Sequence, residues 1–174
     1  MSSAEHPGVR KVVTGLVAAG FPDAAAGLRI LADDVRTAAA AAAALGIEVG
    51  AIANSLVFQA IRGGSNGTAT PLLVMTSGAH RADQDLLARI VGADRVSRAD
   101  AEFVRAHTGQ AIGGVAPIGH PARVPTLVDR ALARYPAVWA AAGHPKSVFP
   151  ITFAGLVELT SGTAVDVTAG EDDR

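Results

Sequence analysis

The sequence predicts a single compact α/β (α+β) domain built on a mixed sheet, and three observations carry that expectation. The chain has 174 residues, a one-domain length that suffices to bury a core. Its apolar residues switch repeatedly between helical recurrence and short runs of strand length. No internal repeat and no linker-like stretch interrupts the alternation.

Pro7 stands where a first helical turn tolerates proline, and Val9, Val12, Val13, Leu16 and Val17 recur at helical spacing as far as Gly20. Phe21-Pro22-Asp23 breaks that helix. Residues 28–31 read as a short strand, and Asp33 or Asp34 is placed to cap the next helix. That helix carries Thr37 followed by seven alanines and stops at Leu45-Gly46. Alanine is the best helix former, so an ordered helix is expected here rather than a low-complexity tract.

Residues 55–61 and 71–76 read as strands joined through Gly63-Gly64-Ser65-Asn66-Gly67, a flexible hairpin tip. This is no phosphate loop, because no Gly-Lys-Ser/Thr follows it. Residues 80–91 read as a helix with Leu86, Leu87, Ile90 and Val91 inward and Gly92 as its stop. After a short strand at 95–97, Ser97 with Asp100 resembles a capping box for a helix through His107, ended by Gly109. Residues 124–128, 138–142 and 148–151 read as strands, and 129–134 as a helical turn. Thr152 caps a last helix to Leu159, and 163–167 form a closing strand. In this division, residues 1–24 are a helix packed on the domain, 25–168 the domain itself, and 169–174 a frayed acidic tail.

Composition excludes several function classes. Hydrophobic residues make up 49% but aromatics only 4%, so the core is built from Ala, Val, Leu and Ile. Without cysteine there is no disulfide, no thiolate nucleophile and no thiolate metal site. No run of about 18 apolar residues marks a membrane span. The start of the chain lacks the basic and apolar regions of a signal peptide, so a soluble cytoplasmic protein with no membrane partner is expected. A net charge of −1 opposes wrapping long nucleic acid but permits gripping one nucleic-acid end through a few phosphate contacts.

The most unusual stretch is 108–119, TGQAIGGVAPIG, followed by Ala142-Gly143-His144-Pro145. Adjacent glycines and a Pro-x-Gly give a rigid turn with close backbone approach and exposed amides, which suits a small polar ligand. A tight corner between strands is the plainer reading of the same residues. Gly63-Gly64-Ser65-Asn66-Gly67 has the spacing of Gly-x-Ser-x-Gly but sits at a hairpin tip where no helix opens, so it is no hydrolase elbow, and no His-Glu-x-x-His zinc pattern or dinucleotide fingerprint occurs. An enzyme built from this sequence works mainly by positioning and backbone amides.

Ile52-Ala53-Asn54-Ser55-Leu56-Val57-Phe58, then Pro71-Leu72-Leu73-Val74-Met75-Thr76-Ser77-Gly78, then His80-Arg81-Ala82-Asp83, the Gly-rich segment and AGHP together resemble the YbaK/EbsC family, the prolyl-tRNA-synthetase-associated editing domain. The resemblance spans about residues 25 to 168. It implies a mixed, mostly antiparallel sheet or open barrel flanked by helices. It also implies an aminoacyl-tRNA deacylase with no metal or organic cofactor, acting on the 3′ acceptor end, with a synthetase as a candidate partner. The resemblance places Asn54, Gly114 and His144 in catalysis and Gly113, Pro117, Ile118, Gly119 and Gly143 in substrate binding; Lys146, just beyond the AGHP turn, and His80 and Arg81, where a helix start and a cation can meet a phosphate, are further substrate-binding candidates. His120 and Arg123 flank the segment.

Two residues depart from the family pattern. Ile118 stands where many members carry phenylalanine, a change that alters the amino-acid pocket without touching the amides. Asn54 stands where many carry lysine, and asparagine donates hydrogen bonds without charge. Lost catalysis, a different substrate, or a charge supplied from elsewhere, with Lys146 as the candidate, all fit that exchange. A non-catalytic module of the same fold and a small-molecule hydrolase or binder remain as other readings. The bland alternatives are a solvated Lys146, a turn histidine at 144, ordinary capping at His80 and Arg81, and an Asn54 bonded to local backbone.

Overall fold

The computed structural model describes residues 5–33 and 35–169. Helix α1 (Pro7–Ala18) starts at its proline, with the His6 ring nitrogen Nδ1 accepting from the Gly8 N–H at 3.1 Å. It buries Val9, Val12 and Leu16, whereas Val17 is 53% exposed. The short α2 (Pro22–Ala26) leads into β1 (Arg29–Ile30). Helix α3 (Ala38–Leu45) is the alanine run, ended by Gly46 in the left-handed region. Its cap is Thr37, whose hydroxyl accepts from Ala40 N–H, and not the expected Asp33. Asp33 is instead bonded to the Lys146 ammonium; Asp34 lies outside the described residues.

Strands β2 (Ile52–Arg62) and β3 (Thr68–Ser77) form the central hairpin, and a 3-10 turn at Gly64–Asn66 makes its tip. Helix α4 (Gln84–Val91) begins four residues later than the sequence predicted and is capped by Asp83. The preceding residues are otherwise engaged: Asp83 N–H bonds the Val167 carbonyl, and the His80 ring bonds Asp129. Ile90, expected inward, is 38% exposed, because Leu87 and Ala88 fill the helix's contact with the sheet. After β4 (Arg95–Arg98) comes α5 (Ala101–Thr108). Asp100 caps α5 through Phe103 N–H; Ser97 pairs within β4, so no capping box forms.

Strands β5 (Thr126–Asp129), β6 (Val138–Ala141) and β7 (Ser147–Ile151) precede α6 (Phe153–Thr160), which Thr152 caps, and β8 (Thr163–Val165). The tail at 170–174 lies outside the described residues. The strands join in one sheet of order β1-β7-β6-β2-β3-β5-β8, with β4 also on β2. The sheet is mixed: β3/β5, β5/β8 and β2/β6 are parallel, the other four pairings antiparallel.

Alternation along β2 sorts its side chains into two layers. Ala53 and Val57 join Leu73 and Met75 beneath Val12 and Leu16 of α1, Val104 of α5 and Leu156 of α6. Phe58 and Ala60 face the other way onto Leu87 of α4, and Ile52 onto Ala41 and Ala42 of α3. Truncating a fully buried side chain such as Leu16 or Phe149 costs about 2–5 kcal/mol.

What positions the site is the other edge of β2. Strand β6 runs parallel to Ile52 and Ala53, while β4 runs antiparallel to residues 58–61. Between them, residues 54–57 face no strand on that edge among the described residues. The sheet is split there.

Candidate functional site

A cavity of about 310 Å³ opens at that split. Residues 52–57 of β2 form its floor. Leu31, Arg36, Thr37 and Ala41 wall one side, and Arg98, Ala99 and Val104 the opposite side. Gly113 and Gly114 meet Pro145 and Ser147 on the remaining side. Among the described residues no carboxylate, histidine or lysine lines the cavity.

The Gly-rich segment divides in two. Its first half, Ile112 to Val115, lines the cavity. Gly114 touches the loop between β6 and β7 so closely that a Cβ there would lie 2.7 Å from Pro145 N and 2.8 Å from the His144 carbonyl carbon. The N–H groups of Gly113 and Gly114 donate to nothing among the described residues. The second half turns away: Ile118 packs toward Gly15 of α1, Pro117 is buried, and Gly119 lies near Lys11 and Gln110. Gln110, which sequence reasoning passed over, braces the segment from within. Its carbonyl oxygen accepts from Ala116 N–H at 2.8 Å, and its amide donates to the Ile118 carbonyl at 3.1 Å. His120 adds a ring contact to the Ala116 carbonyl at 2.8 Å, and its burial pulls its pKa below the ordinary value.

Asn54 lies half-buried on the cavity floor, and its side-chain amide has no hydrogen-bond partner among the described residues. Its register partner is Thr76, whose buried hydroxyl also lacks one. Ser55 beside it makes only a 3.4 Å contact to the Met75 sulfur.

The AGHP turn supplies a wall through its backbone and Pro145. The His144 ring points into its own turn, where Nδ1 accepts from Lys146 N–H, and its edge meets the His6 ring 5.0 Å away. Desolvation first, then the His6 and Lys146 charges, holds the His144 pKa below the usual imidazole value. Gly143 lets the turn meet α1: a Cβ there would lie 2.6 Å from the Gly8 carbonyl oxygen. Lys146 does not line the cavity, and its ammonium goes to Asp33, whose carboxyl is held below the usual range by that hydrogen bond.

The remaining sequence candidates lie elsewhere. His80 bonds Asp129 Oδ2 at 2.9 Å, on the β5 side of β3 and hence the sheet edge opposite the cavity. Arg81 is exposed ahead of α4, so neither residue opens that helix. Arg123 reaches the Ser161 carbonyl at 3.4 Å. Conversely, Arg36, Arg98 and Trp139 line the cavity although nothing in the sequence singled them out. Their signal is topological: each sits where an element ends beside the split in β2.

Chemically, the described residues of the cavity offer amide donors and two guanidinium groups. Such a site can polarise and orient a reactive carbonyl.

Comparison with known proteins agrees on one family. The model for the aminoacyl-tRNA editing domain matches residues 32–159. An Enterococcus faecalis protein named "Putative Cys-tRNA(Pro)/Cys-tRNA(Cys) deacylase EbsC" is 27% identical over 139 residues, 80% of this chain and 81% of that one. The chain is also similar to a protein solved as "a putative trans-editing enzyme for prolyl tRNA synthetase", at 38% identity and a TM-score of 0.81 over 94% of this chain and 98% of that one. A scaffold solved in work on epitope backbone grafting is likewise 38% identical, with a TM-score of 0.82 over 95% and 99% of the two chains. No helix among the described residues is long and apolar enough to cross a membrane.

Proposed function

Because the chain belongs to the aminoacyl-tRNA editing domain family, we propose that it is a trans-editing hydrolase that cleaves the aminoacyl ester of mischarged tRNA. The observation that carries this reading is that Gly113 and Gly114, whose N–H groups have no partner among the described residues, line the same cavity as Asn54, whose amide has none either.

An aminoacyl ester is already activated, so its hydrolysis needs no side-chain base. The ester carbonyl oxygen sits against the Gly113 and Gly114 N–H groups, which stabilise the charge that develops on it. Asn54 holds the terminal ribose or the ester by hydrogen bonding. A water attacks the carbonyl carbon, the carbon–oxygen bond to the ribose breaks, and the ribose oxygen takes up a proton. The neighbouring ribose hydroxyl assists that transfer because it is held in reach. His144 acts by shaping the AGHP wall. The partner is the 3′ acceptor end of aminoacyl-tRNA, with a synthetase as a second partner.

Neutral Asn54 favours one other reading, a module that binds the charged end without hydrolysing it. A panel of tRNAs, each charged with a cognate or near-cognate amino acid, separates the two. Release of one amino acid well above the spontaneous rate supports editing. Binding with every ester intact replaces it with the module.

A further inference from the structure

We propose that Arg36 and Arg98 form a phosphodiester clamp at the cavity mouth, gripping the phosphate that links the last two nucleotides of the acceptor end; this rests on the tRNA-end reading above. Among the described residues the cavity carries two cationic side chains and no acidic one, in a protein whose net charge is −1. That local excess marks an anionic ligand. An amino acid held as an ester has a cationic α-ammonium group and no free carboxylate, so it is the wrong complement for this charge. The phosphodiester one nucleotide back is the anionic part of the same substrate.

Placement supports the assignment. Arg98 ends β4 opposite Phe58 in register, with its guanidinium 5.9 Å from that ring. Arg36 stands just before α3, whose Ala41 and Ala42 pack on Ile52. Ile52, Asn54, Leu56 and Phe58 share one face of β2, so Asn54 lies between the position that Arg98 pairs with and the position that α3 packs on. Both are exposed, and neither is in an ion pair among the described residues. Asp33 feels Arg36 only as the last of its influences and spends its hydrogen bond on Lys146. A guanidinium also presents a planar fork that fits phosphate oxygens, so two of them orient a backbone rather than merely attract it.

The test compares two small substrates bearing the same amino acid: the 3′-aminoacyl ester of adenosine, which has no phosphate, and that of cytidylyl-(3′→5′)-adenosine, which has one. The wild-type protein is expected to favour the dinucleotide at least tenfold in kcat/KM, mainly through KM. Arg36→Ala/Arg98→Ala should lose that preference and flatten the log–log salt dependence of tRNA binding by about 0.7, one neutralised phosphate on a single strand. Arg134→Ala, outside the cavity, should keep both, and the two lysine replacements should restore the salt slope but not the full preference. Equal use of both substrates by the wild type overturns the clamp, as does a preference that survives in the double variant. If neither ester is hydrolysed, the deacylase reading fails while calorimetry with uncharged cytidylyl-adenosine still decides the clamp: binding that depends on both arginines supports it, and unchanged or absent binding ends it.

Discussion

Two Gly-Gly pairs in this chain look alike in sequence and end in opposite situations. Gly63 and Gly64, at the hairpin tip, both have positive φ and both aim their N–H groups at one oxygen of Asp94, at 2.9 and 3.0 Å. Gly113 also has positive φ, yet its N–H and that of Gly114 meet no acceptor among the described residues, and both glycines line the cavity. Successive amides in such a turn form a concave anion site. The tip shows that site filled by the protein's own carboxylate. The other pair differs in its second residue, since Gly114 lacks the positive φ of Gly64, and its two donors remain for an incoming ligand. The tip was expected to be a flexible loop; the structure ties it down through Asp94.

Valine substitution should break the comparison most sharply. Gly114→Val is expected to reduce deacylation at least a hundredfold, the scale of losing an oxyanion donor. A Cβ there collides with the backbone of the AGHP turn and pries apart two walls of the cavity. Gly64→Val, at a site with open space but φ +66, should cost at least about 1–2 kcal/mol of stability and leave turnover alone. Turnover measured beside chemical denaturation distinguishes these outcomes. A folded, fully active Gly114→Val removes the open pair from the mechanism.

Asn54→Ala comes next, with an expected loss of roughly ten- to a hundredfold, about 1.4–2.7 kcal/mol of transition-state stabilisation. Lys146→Ala should stay near wild type, since that ammonium is committed to Asp33 outside the cavity. Asn54→Lys then asks whether the floor tolerates the charge: higher turnover means a weakened deacylase, lower turnover a pocket built around the amide. If both alanine variants are fully active, single-turnover kinetics will have moved the chemistry away from this floor.

Acid separates the two loops by a smaller amount. His120 braces the open loop, and burial depresses its pKa below the ordinary 6.5. Below about pH 6.5 the unfolded chain therefore takes up the proton first, so the contribution is complete above that pH and is lost as pH falls through the depressed folded value. Melting temperatures from pH 7.5 to 5 should fall less steeply for His120→Gln than for the wild type. Parallel curves would mean the ring titrates alike in both states. Asp94→Ala is the mildest case: about 1 kcal/mol of stability is lost at the tip and turnover does not change.

The sequence revealed the elements more fully than the site. Alanine runs, glycine stops and apolar spacing located nearly every helix and strand, because each signal is local. The errors at helix starts have one cause. Asp83, Asp100 and Thr37 won the caps because the earlier candidates were already bonded or paired in the tertiary structure. Asn54 and Gly113-Gly114 were visible as motif residues and do share a cavity. Arg36, Arg98 and Trp139 were invisible, since they reach it only through the way β4, β6 and α3 gather around β2. Lys146 was singled out as a stand-in for a charge missing at position 54, but its place just beyond the AGHP turn says nothing about where its ammonium points.

The division of one strand edge between two neighbours also has a consequence for the order of folding. β2 and β3 are joined by a short turn and pair from Ala53 to Arg62, so their contacts are local and cheap to close. β4 lies only about thirty residues further on, whereas β6 must return from position 138 to reach Ile52 and Ala53. The hairpin and β4 should therefore assemble first, leaving the Ile52 end of β2 as a bare apolar edge until β6 docks. During that interval the nascent chain carries an open template for pairing with another copy of itself. Pulse-labelled hydrogen exchange would show it as early protection of the hairpin amides and late protection of Val138–Ala141; simultaneous protection would mean the sheet closes in one step.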